Sequence, residues 1–353
     1  MRSSLVTSDQ AIDKLIVKTE TANLPAGLEE KVDEIYSQLK LNSKAPEIFW
    51  ESYERVAKYI DWVVKLPWEK SSKDILDINY AKEKLNEGHH GLTDIKERLL
   101  EYISVLALQK ARNPEKDIRA PILLFVGLVG TGKTTMAQSI AHVLNREFVR
   151  IPFGGLGDPA YLRGISRINP ESEPGQIIKA LISAKTKNPV ILLDEIDRVA
   201  DEALNTVMGV LVELLDPEQN HKFTDNYIDY PFDLSQVLFC ATCNNTTRIA
   251  TAVMDRLEPI QMPSYNDEEK IAIGRDYILG KAITEAGLTS QELKISDSVW
   301  PQIVRPLGFD AGVRTLKRNI EGLCRKVAKM IFEGQVTQVA IDETNIKQYL
   351  PQW

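Results

Sequence analysis

The sequence predicts an α/β fold: a parallel sheet covered by helices, preceded by a small helical module and followed by a mostly α-helical small domain. Three observations predict it. Apolar runs of strand length, Pro121–Val126, Glu147–Ile151, Val190–Leu193 and Val237–Thr242, alternate with helical patterns at Thr135–Leu144, Gly175–Ala184 and Ala203–Leu215, and such alternation builds a parallel sheet with helices on both faces. Before it, apolar residues recur only at helical spacing. After Pro263 the strand signal nearly vanishes.

In chain order, residues 1–70 read as a helical module. Short amphipathic patterns around Ala11–Val17 and Leu28–Leu39 flank Pro25-Ala26-Gly27. Phe49, Tyr53, Val56, Ile60, Val63 and Val64 then repeat at helical spacing until Pro67 stops them. The aromatic stripe with Trp50, Trp62 and Trp68 suits core packing or contact with a neighbouring element better than ligand binding. Ser71-Ser72-Lys73-Asp74 has linker composition. Residues 71–262 hold the alternating pattern, opened by two helices flanking Gly88-His89-His90-Gly91-Leu92. Residues 263–353 give helices at Asn266–Ile278, Asp297–Val304 and Gly312–Phe332, one short strand near Gln335–Ile341 and a last helix from Asp342.

The chemistry concentrates in Gly127-Leu128-Val129-Gly130-Thr131-Gly132-Lys133-Thr134, an unbroken G-x-x-x-x-G-K-[ST] loop between an apolar strand and a helix. Its glycines allow successive N–H groups to close around a phosphate, and the following helix N-terminus, with Thr135 in its first turn, favours negative charge. Lys133 is placed for the β- and γ-phosphates and the Thr134 hydroxyl for Mg²⁺. Asp194 and Glu195 follow the Val190–Leu193 strand, where a parallel sheet opens its ligand crevice. Asp194 suits a water-mediated hold on Mg²⁺ and Glu195 suits orienting and deprotonating an attacking water. The cofactors expected are ATP or ADP with Mg²⁺. Taken alone, the loop reads also as a glycine-rich turn and the acidic pair as a helix cap.

Composition excludes other classes. Of 353 residues, 43% are apolar, enough for packed cores, and the net charge of −7 argues against holding nucleic acid or anionic membrane by bulk charge. No apolar stretch approaches a membrane span, and Met1-Arg2-Ser3-Ser4-Leu5 lacks the apolar segment of a signal peptide, which predicts a cytoplasmic or similarly reducing compartment. Three cysteines make no disulfide framework. Cys240 and Cys243 lie in an apolar strand pattern and read as small buried side chains, and the four histidines include no H-E-x-x-H.

The chain resembles the ATPase (AAA+) region of Lon-type ATP-dependent proteases over about residues 12–348. The resemblance rests on Tyr59-Ile60-Asp61-Trp62-Val63-Val64-Lys65-Leu66-Pro67-Trp68, His90-Gly91-Leu92, the phosphate loop, Leu193-Asp194-Glu195-Ile196-Asp197, Leu215-Asp216-Pro217-Glu218-Gln219-Asn220, Asp255-Arg256 and Gly312-Val313-Arg314. It implies that Asn244 is sensor 1, Arg256 an arginine finger for a neighbouring subunit, and Arg314 sensor 2, drawing the small domain onto nucleotide. His90, Gly91 and Leu92 match the adenine-contacting segment, where such proteins commonly have Tyr-Gly-Leu. A finger acting in trans implies a homo-oligomer, in this family a hexamer, that pulls protein substrates through its pore. In the pore loop, Asn169-Pro170 stands where an aromatic-aliphatic pair is expected, with Ile168 one position earlier, and Glu171 and Glu173 make the loop acidic. The resemblance also leads one to expect a Ser-Lys protease domain after the small helical domain and a large domain before the helical module. The 353 residues show no motif for either, which implies an excised fragment or a standalone ATPase working with, or without, a protease subunit. A standalone protein suggests the alternative of a nucleotide-switched regulatory or assembly ATPase that threads nothing.

Overall fold

A computed structural model describes residues 7–112, 121–169, 171–305 and 312–350. Three helices open the chain. Ser8–Glu20 starts at Thr7, whose hydroxyl accepts from the Gln10 N–H while the Gln10 side chain accepts from the Thr7 N–H, a reciprocal cap that satisfies two otherwise orphaned donors. Ala26–Leu41 follows, and Pro46–Val63 begins with proline in the first turn, where no N–H is missed. The last of these ends four residues before Pro67, consistent with the steric bar proline places upstream.

The expected linker is not a free tether. The Ser72 N–H donates to Asn188 Oδ1 at 2.8 Å, Ile75 N–H to the Leu144 carbonyl at 3.2 Å, and Asp74 forms a largely buried pair with Arg146 at 2.7 Å. Trp68 packs its ring on Tyr230 and Phe232, and Tyr59 packs on Tyr227. Most buried side chains of the opening helices therefore run into those beneath the sheet as one apolar cluster, while Ala11, Ile12, Leu39 and Phe49 form a small separate one. Trp50, by contrast, is half exposed.

Helices Ile78–Gly88, capped by the Asp77 carboxylate, and Thr93–Arg112 lead to the sheet. Its strands are β1 (Ile122–Val126), β2 (Phe148–Pro152), β3 (Val190–Asp194), β6 (Leu238–Cys243) and β7 (Leu257–Gln261), in the order β2-β3-β6-β1-β7 and all parallel. The two-residue strands β4 (Phe223–Thr224) and β5 (Pro231–Phe232) form a separate antiparallel pair. Helices Lys133–Leu144, Gln176–Ala184 and Leu204–Leu214 cover the sheet. The strand β7 is not legible in the sequence because Pro259 and Glu258 break its apolar run. Proline is tolerated there because β7 lies at the sheet edge.

Beyond the sheet, Asn266 and Glu269 cap a helix that runs from Asp267 to Glu285 through a π-helical stretch at Ile273–Ile278. Trp300–Val304 and Arg314–Phe332 follow. The predicted single strand is present as β9 (Val339–Ile341), and it pairs in parallel with β8 (Leu293–Ile295), which the sequence reading left out. These elements enclose their own core around Trp300, Ile320 and Leu323. No helix among the described residues is long and apolar enough to cross a membrane.

Candidate active site

Because the five strands are parallel, the carboxyl ends of β1, β3 and β6 meet along one edge of the sheet. The phosphate loop leaves β1, Asp194 and Glu195 close β3, and Asn244 follows β6. These residues share a cavity of about 480 Å³ with the helical segments behind Asp267, its walls including Gly130, Lys133, Thr134, Thr135, Asp194, Glu195, Asn244 and Arg314. That volume falls in the range of nucleotide-sized sites.

The loop has the form an anion cradle needs. Gly130 and Gly132 lie in the left-handed region at φ 83° and 93°, and Gly127 is closed in so tightly that a Cβ there would sit 2.7 Å from the Met262 carbonyl. Gly127 and Thr131 shape the loop from behind, outside the cavity wall. The Thr131 hydroxyl is buried and donates to the Leu128 carbonyl at 2.9 Å. Lys133 donates to the carbonyls of Gly127 (2.5 Å) and Leu128 (2.9 Å) and to Asn244 Oδ1 (3.0 Å). Burial pushes its ammonium pKa down, opposed by Asp194 and by other nearby acids. Lys133 and Asn244 are thus already joined across the end of the sheet.

Asp194 is held from both sides. Thr242 Oγ1 donates to its Oδ1 at 2.5 Å and Arg150 Nε to its Oδ2 at 2.5 Å. Thr242 also accepts the Glu195 N–H at 2.8 Å, which fixes Glu195 in a left-handed backbone at φ 59°. Its carboxylate pairs with Arg198 at 3.2 Å and faces Gly154, where a Cβ would come within 3.2 Å. Asp197, buried behind this turn, accepts the backbone N–H groups of Asn244 and Asn245 at 3.0 and 3.1 Å and so holds the turn that carries Asn244. Sequence reasoning missed Arg150 and Thr242 and gave Asp197 no role beyond its place in the Leu193–Asp197 motif. Each left a signal: a charge inside a strand pattern, a hydroxyl in an otherwise apolar run, and a third acid three residues after Asp194.

Arg314 reaches the cavity because its helix starts on the phosphate loop. The Val313 N–H donates to the Gly130 carbonyl at 3.0 Å, and a Cβ on Gly312 would meet Gly130 C at 2.5 Å. Tyr265 adds a second tie, its hydroxyl donating to the Thr131 carbonyl at 3.2 Å.

The opposite wall is formed by Gly88, His89 and His90 with Ile273, Tyr277 and Lys281. His90 stands edge-on to Tyr277, ring centroids 6.1 Å apart. Gly91 and Leu92, at φ 59° and 52°, turn the chain into the next helix and are not on the cavity wall. His89 Nε2 lies 2.8 Å from Ser139 Oγ, and burial holds its imidazole down to about 4. Lys96, itself buried, donates to the His89 carbonyl at 2.6 Å and fastens this turn.

Arg256 is not on the cavity wall. It donates to the Asp216 carboxylate at 2.9 Å and to the Ala252 carbonyl at 2.6 Å. In the candidate pore loop, Ile168 is 89% exposed and Asn169 is exposed beside it. Pro170 lies outside the described residues. The residues on hand fit a nucleotide and its Mg²⁺: the loop N–H groups and Lys133 match phosphate, and Thr134 and Asp194 offer oxygens on the same wall. No cluster of three acidic, histidine or cysteine ligands exists among the described residues, so the cation's remaining ligands would come from phosphate and water. The three cysteines are free and buried, with burial pushing the Cys240 and Cys243 thiols up to about 12.

Fold and site together define a P-loop ATPase of the AAA class. Residues 123–265 match the profile of the ATPase family associated with various cellular activities (AAA), and residues 284–339 match the Lon protease AAA+ ATPase lid domain. Among curated relatives, the chain is 43% identical over 347 residues to a protein named Lon protease from Lawsonia intracellularis, covering 98% of this chain and 40% of that one. It is 41% identical to Lon protease of Desulforamulus reducens, covering 93% of this chain and 39% of the relative, and 40% identical to that of Bacillus thuringiensis, covering 96% and 41%. The chain thus spans about two fifths of the length of these relatives. It carries the AAA ATPase and lid domains of the Lon family and corresponds to the ATPase region of those proteins.

Proposed function

We propose that this chain binds ATP with Mg²⁺ and hydrolyses it, and that it works as the ATPase module of a Lon-type machine acting on protein substrates. The observation that carries this reading is the convergence of Lys133, Thr134, Asp194, Glu195, Asn244 and Arg314 on one cavity. When bound, Mg²⁺ would supply positive charge that offsets the charge developing on the phosphates. The chain's residues supply the rest. Loop N–H groups and Lys133 bind the phosphates; Thr134 and Asp194 offer ligands to the cation; Asn244 donates its amide to the γ-phosphate or the attacking water; Glu195 takes the water's proton at its carboxylate. Arg314 ties the lid to the nucleotide, through the contact its helix already makes with Gly130.

Arg256 supports assembly. A guanidinium that leaves its own cavity wall and is aimed by Asp216 suits a finger for an adjacent protomer, so the working unit is a homo-oligomer, in the Lon family a hexamer. The exposed Ile168 is then the side chain placed to touch polypeptide in the pore. One observation favours the second reading, a nucleotide switch that threads nothing: Ile168 is the lone exposed large apolar side chain among the described residues of the Arg163–Gly175 loop, a small grip for pulling. Hydrolysis rate per chain against protein concentration, for wild type, Glu195→Gln and Arg256→Ala, tests the first reading. The rate should rise with concentration and vanish in both variants while nucleotide still binds; nucleotide binding without turnover at any concentration would sink it. Stimulation by an unfolded protein, lost on Ile168→Ser, would separate motor from switch.

A further inference from the structure

Asp194 has no unengaged oxygen. Its Oδ1 takes the Thr242 hydroxyl from inside the sheet, where Thr242 is fully buried, and its Oδ2 takes Arg150 Nε from the cavity side. The two partners differ in kind. Thr242 is neutral and locked in β6. Arg150 is a full cation on β2 whose side chain is 50% exposed while that of Asp194 is 7% exposed, and Arg150 itself lines the cavity. A divalent cation approaching this carboxylate meets a guanidinium already bonded to one of its two oxygens.

We propose that Arg150 is a positioning residue that sets how much Mg²⁺ the site requires, by occupying Asp194 Oδ2 until the cation and nucleotide together draw that oxygen away. The inference rests on the nucleotide-and-Mg²⁺ reading above. The chemistry is a competition of cations for one carboxylate: the charge-assisted bond from Arg150 keeps the largely buried Asp194 compensated, and the guanidinium's charge repels a second cation brought to the same carboxylate. Nucleotide phosphates would tip the balance by adding negative charge to the cavity that Asp194 and Arg150 line. Coupled in this way, Asp194 binds the cation mainly when nucleotide is present, and metal alone is poorly held.

The test is Mg²⁺ titration of the protein saturated with a fluorescent ADP analogue, reading the bound nucleotide's emission rather than turnover. Arg150→Gln keeps a donor for Asp194 without the charge and should lower the Mg²⁺ midpoint roughly three- to tenfold, the size expected for removing one partly solvated neighbouring charge. Arg150→Lys, which keeps the charge, should leave the midpoint near that of wild type. A midpoint in Arg150→Gln equal to or above wild type would overturn the inference while leaving the nucleotide reading intact. Failure of wild type to bind the ADP analogue at all would overturn both. A measurement on the wild-type chain needs no variant to fold: the Arg150 Nε–H resonance should move when Mg²⁺ is added to ADP-saturated protein and stay put with ADP and chelator, and an immobile resonance would refute the competition.

Discussion

Thr242→Val isolates the hydroxyl on which the acidic pair hangs. Valine nearly matches threonine in shape, so the fully buried site in β6 is neither emptied nor overfilled. What goes is the donor to Asp194 Oδ1 at 2.5 Å and the acceptor of the Glu195 N–H at 2.8 Å. A hydrogen bond to a charged group contributes about 1.5–3 kcal/mol, and a buried N–H left without a partner costs about 1–3 kcal/mol. The added methyl returns about 1 kcal/mol of apolar burial. The expected net loss is about 1.5–5 kcal/mol, with Glu195 also losing the tie that holds its left-handed backbone. Because lid and sheet have separate cores, a single bulk transition is a poor readout. Amide exchange of β1, β3 and β6 under mild urea reports the sheet directly. Thr242→Ser retains the hydroxyl and should stay within about 1 kcal/mol of wild type, allowing for its lost methyl. A loss below about 1 kcal/mol for Thr242→Val, or equal losses for both variants, would refute the assignment of two hydrogen bonds to this hydroxyl.

The remaining predictions concern the two walls of the cavity. Burial lowers the His89 pKa from 6.5 to about 4 in the folded chain, so the unfolded chain takes up the proton first; this residue leaves stability intact above pH 6.5 and removes about 2 kcal/mol by pH 5. Proton NMR of the four histidines should show one imidazole, missing in His89→Gln, that stays neutral at pH 5; four midpoints near 6.5 would contradict it. Gly312→Ala forces a Cβ to 2.5–2.6 Å from the backbone of Gly130 and Val129, where no flexible side chain can yield. It should weaken nucleotide binding about 5- to 150-fold, equivalent to 1–3 kcal/mol of overpacking, as measured by titration of fluorescent ADP. Gly280→Ala, with nothing within 4 Å of its Cβ, is the control and should change affinity little; equal effects at both positions would sink the lid-docking account.

The sequence alone determined what is written in contiguous residues: the phosphate loop with its strand and helix, the acidic pair ending an apolar run, the helical opening and the helical lid. Each is a local pattern, since strand length, period and glycine placement are set by neighbours within about a dozen residues. Where the pattern is broken, as in β7 with Pro259 or the three-residue β8, the element is made by its partners and had to be seen in place. The tertiary structure alone decided how the site is wired. Arg150, Asp194 and Thr242 lie on three strands, and they meet because β2, β3 and β6 are neighbours in that order. Gly312 needs to be glycine because a helix far along the chain rests on Gly130. Arg256 stays off the cavity wall, paired with Asp216 from another stretch of the chain. Contacts of this kind depend on strand order and on one layer docking against another, and neither leaves a periodic trace in the chain.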